Sequence, residues 1–133
     1  MIPAENRKDL GILVLRVLGA GTLFFAHGLD KLTSIPGIFQ HFPDPIGLGS
    51  VLTAGIAILA EGICTVAVMV GFWTRLTVLP IIGIMFVAAV FFHASDPFAV
   101  KEKALLYLVI HLSLFVTGGV RYVLDRKFLG TKK

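Results

Sequence analysis

The sequence predicts an all-α fold, an integral membrane antiparallel four-helix bundle, and three observations carry that prediction. Of its 133 residues 56% are hydrophobic and only 15% charged, and the mean hydropathy is +0.91, outside the range of an ordinary soluble domain. The apolar residues gather into four segments, about 10–29, 48–71, 76–93 and 104–122, each near the roughly 20 residues that a helix needs to cross a bilayer. Such segments cross as helices, because in hydrocarbon the backbone must satisfy its own hydrogen bonds. What remains is short loops and tails, so residues 1–133 read as one membrane domain.

Composition also excludes several functions. Cys64 is the one cysteine, so an intrachain disulfide, a CxxC redox pair and a cysteine-based zinc site are ruled out. The net charge of +4 comes from basic residues that flank apolar spans, a pattern set by membrane topology rather than by nucleic acid.

The first span, Leu10 to Leu29, follows a polar tail and is read as a retained helix, because no small-x-small cleavage site interrupts it. Arg16 and His27 are eleven positions apart and differ by about 20° around a helix, so they share a face. Gly19, Ala20 and Leu23 lie between them on that face, small enough to admit a neighbouring helix. Asp30 to Gly47 is a loop punctuated by Pro36, Pro43 and Pro45, with Ile35, Ile38, Phe39 and Phe42 as interfacial anchors and His41 solvated.

The second span carries a single charge, Glu61, near mid-membrane, where a carboxylate is costly and reads as functional. Ala54, Ala57, Cys64, Thr65 and Val68 share its face, which therefore turns toward protein. Gly71 to Arg75 forms a tight turn that puts Trp73 and Arg75 at the headgroups. The third span runs from Leu76 to His93 and is followed by a loop from Ala94 to Lys103. The fourth places His111 near mid-depth, with Tyr107 one turn before it.

Arg7, Lys8, Arg75, Arg121, Arg126, Lys127, Lys132 and Lys133 fall on the side of the termini, against Lys31, Lys101 and Lys103 opposite. The positive-inside rule makes both termini cytoplasmic. Spans one and three both end in Phe-Phe and His, as FFAH and FFH, the mark of a duplicated two-helix unit.

Arg16, His27, Glu61 and His111 form the candidate buried polar site, for quinone or for protons. Glu61 either pairs with Arg16 to lock helices together or handles protons or substrate. His111 either pairs with Glu61 or bonds a carbonyl. At the outer end Lys31, His93 and Glu102 make a second polar cluster. No metal or haem is expected there. Phe24, Phe25, Phe86 and Phe115 offer an apolar slot for a quinone ring, the candidate cofactor.

Several of these pieces resemble the DoxX family of small bacterial four-helix membrane proteins. They are His27-Gly28-Leu29-Asp30-Lys31-Leu32, Glu61-Gly62, Gly71 with Thr74-Arg75, His93, and the closing Gly118 to Asp125, GGVRYVLD. In that ending Val120 precedes the Arg, and Val123 stands where the family has Ser. The resemblance implies an inner-membrane protein engaged in redox or sulfur-stress work with partner subunits, as in thiosulfate:quinone oxidoreductases. It leads to three readings: a quinone-linked oxidoreductase subunit, a non-catalytic anchor that docks soluble redox proteins through Arg75, Arg121 and the basic tail, or a small transporter or channel acting as a homo-oligomer. In each the lipid bilayer is the constant partner and nucleic acid has no place.

Overall fold

Every regular element among the described residues, 1–124 of the computed structural model, is helical. Three helices are long and apolar enough to cross a membrane: α1 (Ala4–Thr33), α3 (Ser50–Val70) and α4 (Thr74–Phe92). The short helix α2 (Ile38–His41) lies in the loop after α1, and α5 (Phe98–Thr117) closes the described helices. The first turns of α5 hold Lys101, Glu102 and Lys103, which sets it apart from the other three in composition.

The first helix is longer than its apolar run predicts and the fourth is shifted along the chain. The first begins at Ala4 rather than Leu10, because its polar opening residues are still helix formers. It also continues through Asp30 and Lys31 to Thr33. The fourth begins at Phe98, directly after Pro97, and stops at Thr117 rather than Tyr122. Pro97 is extended and suits a helix entry, and Gly118, at φ 72°, ends the helix with a backbone geometry that other residues resist. Lys103 and Glu102 therefore ride on a helix, not in a loop.

Each of the three membrane-capable helices contains a π-helical turn: Phe24–Gly28 in α1, Ile58–Cys64 in α3 and Ala88–Phe92 in α4. A π turn inserts one residue into the ladder, as when His93 N–H reaches the Ala88 carbonyl at 2.9 Å. Such turns recur at functional sites, because they shift side chains and release carbonyls from the regular pattern. Both Phe-Phe pairs fall on them, with His27 inside its turn and His93 directly after the other.

The opening part of α1 packs on the end of α3, its π turn packs on the π turn of α3, and α4 lies along α5. Ala20, Leu23, Ala60, Val68, Val78, Ile81, Met85 and Leu114 form the core between them. Leu18, Val51, Ile63, Val90 and Val116 stay exposed, an apolar exterior that fits lipid rather than water.

Candidate functional site

Two glycines decide how α1 meets α3. A Cβ on Gly28 would run into the carbonyl of Glu61, and one on Gly62 would stand 3.0–3.3 Å from the Leu32 side chain. The two π turns are thus in backbone contact, and His-Gly and Glu-Gly pair as contact motifs. This closeness brings Lys31 to Glu61. Its ammonium forms an ion pair with Glu61 Oε2, with side-chain exposures of 14% and 8%. Lys31 Nζ also donates to the His27 carbonyl at 3.4 Å, which holds the amine over the π turn.

Glu61 therefore pairs with Lys31 and not with Arg16. The cause is register. The guanidinium of Arg16 lies beside Gly71, where an added Cβ would be 2.8 Å from Nη1, and Gly71 is ten residues from Glu61, about 15 Å along a helix. The contacts of Gly28 with Glu61 and of Arg16 with Gly71 fix the register of α1 on α3, and it puts Arg16 level with the end of α3 rather than its middle.

Arg16 has another task, at 2% exposure. Its Nη1 donates to the Gly119 carbonyl at 2.9 Å, and its Nη2 donates to the carbonyl of Tyr122. After Gly118 the chain runs back over the bundle end as a strap, and Leu124 N–H donates to the Val70 carbonyl at 3.2 Å. Arg16 fastens that strap from within. Arg75 Nη2 donates to the Val116 carbonyl at 3.1 Å, and Arg121 Nη1 donates to Asn6 Oδ1 at 2.6 Å. Both exposed arginines thus contribute one hydrogen bond each to closing this end. Asp125 and the basic tail, Arg126, Lys127, Lys132 and Lys133, lie outside the described residues.

His111 is fully buried, and it too is not paired with Glu61. Its Nδ1 lies 2.7 Å from the Tyr107 carbonyl. A carbonyl only accepts, so Nδ1 carries the proton and Nε2 of the neutral ring is left as an acceptor. That Nε2 is buried with no hydrogen-bond partner among the described residues, a condition that costs about 1–3 kcal/mol.

Above the Lys31–Glu61 pair opens a cavity of about 400 Å³. His27, Lys31, Glu61, His93, Lys103 and Tyr107 supply its polar wall, and Ile84, Met85, Ala88, Phe92, Val100 and Ala104 much of its apolar wall. The three π turns converge on it, through His27, Glu61 and Ala88 with Phe92. His93 Nδ1 is 2.6 Å from Asp96 Oδ2, and the His27 and Tyr107 rings meet edge to face at 6.4 Å.

The loop after α2 covers one side of the cavity with Phe42, Pro43 and Pro45. Asp44 fixes it: the Leu48 and Gly49 amides donate to its carboxylate at 2.8 and 2.7 Å, and the Thr53 hydroxyl at 3.2 Å. The Gly49 amide above all holds the Asp44 carboxyl below its ordinary pKa.

Of the residues singled out from sequence, His27, Lys31, Glu61 and His93 meet at this cavity. Arg16, His111 and Glu102 do not line it, and Glu102 is exposed on α5. The aromatics expected as a slot are elsewhere. None of Phe24, Phe25, Phe86 and Phe115 lines the cavity, and Phe42, Phe92 and Tyr107 do. Lys103 escapes sequence reasoning because the polar run around it reads as a loop. On α5, Val100, Lys103, Ala104 and Tyr107 have the three- and four-residue spacing of one helix face. Among the described residues no group of three His, Cys, Asp or Glu side chains is arranged to hold a metal ion.

A helical protein with an apolar exterior, whose membrane-capable helices meet through π turns beside a largely apolar cavity with a few polar groups in its wall, is a membrane protein. The chain belongs to the DoxX family, whose pattern matches residues 11–94. It is 36% identical over 125 residues to "Putative oxidoreductase CatD" of Bacillus subtilis (strain 168), covering 88% of this chain and 86% of that protein. It is 32% identical over 128 residues to "Inner membrane protein YqjF" of Escherichia coli (strain K12), covering 92% and 95%. No solved structure matches it.

Proposed function

We propose that this chain is a quinone-linked subunit of a membrane oxidoreductase, with α1, α3, α4 and α5 crossing the inner membrane as an antiparallel four-helix bundle and both termini cytoplasmic. In this arrangement α5 crosses with its charged first turns at the outer surface, where the ends of α1 and α4 also lie. The cavity then opens toward the outer side of the hydrocarbon. One relative's name as an oxidoreductase and the other's as an inner membrane protein agree with the reading.

One observation carries it: a buried Lys31–Glu61 ion pair in the wall of a largely apolar cavity of about 400 Å³, within the roughly 300–1,000 Å³ of small-molecule sites. The residues fit a quinone. Lys31 has donors for a ring carbonyl, Glu61 beside it can hold a proton, and Tyr107 and Phe92 face the space a ring would fill. A bound quinone would supply two-electron, two-proton chemistry. The protein's share is to orient the ring, exclude water and keep a proton at Glu61 within reach of the carbonyl.

The docking reading has less support, because Arg75 and Arg121 each bond one of the chain's own carbonyl or amide oxygens. The test is solvent extraction of detergent-purified protein with mass spectrometry for quinone. Wild type should carry it, and folded Glu61→Gln should not. Folded wild type that carries none, and takes up none when supplied, would end the proposal.

A further inference from the structure

The Lys31–Glu61 pair neutralises charge without using up its hydrogen bonds. Lys31 takes one carboxylate oxygen, Oε2, and Glu61 also lines the cavity, so Oε1 is the oxygen left to that side. At 6% exposure Glu61 has little bulk water to turn to, and an occupant of the cavity displaces what water stands there. Whatever replaces that water must donate, because a carboxylate oxygen only accepts. Lys31 has three N–H donors, of which one goes to Glu61 and one to the His27 carbonyl at 3.4 Å. One donor remains beside one acceptor. A quinone carbonyl would accept from Lys31 and leave Glu61 unanswered, whereas a hydroquinone hydroxyl accepts from Lys31 and donates to Glu61 in the same place. His93 adds to the bias from another wall of the cavity. Its Nδ1 lies 2.6 Å from Asp96 Oδ2, so Nδ1–H is donated there and Nε2 of the neutral ring is one more acceptor.

We infer that the cavity binds the reduced, hydroxyl-bearing form of its ring in preference to the oxidised, carbonyl-bearing form, with one ring hydroxyl donating to Glu61 Oε1. This rests on the reading of the cavity as a quinone site and says which redox form that site is built for. Quinone plus two electrons and two protons gives hydroquinone, so tighter binding of the hydroquinone shifts that equilibrium toward reduction and raises the midpoint potential of the bound couple. The site then favours the direction in which quinone is the electron acceptor.

The probes are 1-naphthol and 1-methoxynaphthalene, which share a ring and an acceptor oxygen, while only the naphthol donates. The extra methyl is small in a cavity of about 400 Å³. Both are titrated calorimetrically into the full chain in phosphatidylcholine nanodiscs, with titrations of empty nanodiscs subtracted to remove partition into lipid. Wild type should bind the naphthol about tenfold or more tightly, the scale of one hydrogen bond to a charged group. Glu61→Gln, whose amide oxygen is uncharged, should lose most of that preference. A readout that needs no variant is the midpoint potential of menadione held substoichiometric to the protein. It should stand about 30 mV or more above its value in empty nanodiscs, the equivalent of a tenfold preference for the two-electron-reduced form. Equal binding of the two probes by wild type, a preference untouched in folded Glu61→Gln, or a menadione potential unchanged or lowered by the protein overturns the inference. Quinone recovered by extraction alongside any of those results would leave the quinone reading standing and remove only this one.

Discussion

Replacing Lys31 with methionine leaves Glu61 in a wall where its side chain is only 8% exposed, and its short stem cannot carry the carboxylate to water. Removing one partner of a buried ion pair costs about 3–5 kcal/mol. The pair is slightly open on the lysine side, at 14% exposure, so we expect about 3 kcal/mol, the lower end of that range. Glu61→Gln should cost less, about 1–2 kcal/mol, because an orphaned lysine can swing its long stem toward the interface. The double variant Lys31→Met/Glu61→Gln removes both charges and should cost less than Lys31→Met alone, giving a coupling of about 2–3 kcal/mol. The assay is a double-mutant cycle in mixed micelles, with SDS mole fraction as denaturant and far-UV circular dichroism as readout. Single costs that add to within about 0.5 kcal/mol would refute the pair as an energetic unit. Quinone content of the double variant answers a second question. A folded double variant without quinone makes the pair functional, and one that retains quinone makes it a helix lock.

The same geometry sets three further outcomes. Gly28→Ala drives a methyl into the Glu61 carbonyl and should destabilise the protein by about 2–3 kcal/mol, near the upper range for overpacking; thermal unfolding in detergent that stays within experimental error of wild type would contradict the backbone contact. Arg16→Gln deprives the part-buried Gly119 and Tyr122 carbonyls of their donors, at about 1 kcal/mol for each, the low end for an acceptor left unmade, and should expose Gly118–Leu124 to limited proteolysis while the cavity still binds its ligand. Asp44 has a folded pKa below its unfolded one, so its carboxylate strengthens the loop at neutral pH, and that contribution is lost only as acid takes the pH down through the folded value. The protection factors of the Leu48 and Gly49 amides, that is, exchange corrected for its intrinsic pH dependence, should therefore be unchanged from pH 7 down to about 5, within the window where Asp is ionised, and should be lower at all these pH values in Asp44→Ala.

The helices were legible because hydropathy and length are properties of single segments. Register was not, because it depends on where each helix begins relative to its neighbours. The six residues from Ala4 to Asp9 that α1 adds ahead of the apolar run are polar, and nothing in hydropathy marks them as helix. The level of Arg16 is set instead by the backbone contact of Gly28 with Glu61, which leaves Arg16, twelve residues earlier, beside Gly71. At the other end the same rule hid Lys31, since a span that stops at Leu29 leaves Asp30 and Lys31 in a loop. With the helix continued, Lys31 falls four residues after His27 on the same face, and the ion pair has a candidate. The glycines were the overlooked signal: Gly28 and Gly62 each sit directly after a polar residue of the site and mark where backbones touch.

The π turns explain why this cavity can exist among helices so closely packed. A regular α-helix through Glu61 would continue its ladder past Gly28, and the contact of the two backbones would leave little room for side chains. Inserting a residue in each of α1, α3 and α4 rotates the rest of that helix about its axis, so that His27, Glu61 and the Ala88–Phe92 wall turn toward one space. The inserted geometry weakens each helix locally, a cost that packing alone has no reason to incur three times at one level. Among the described residues the strap end of the bundle, where Arg16 bonds the Gly119 and Tyr122 carbonyls, has no such turn. The π turns mark the end at which ligand chemistry is expected, and Arg16, although buried and charged like Glu61, belongs to the other.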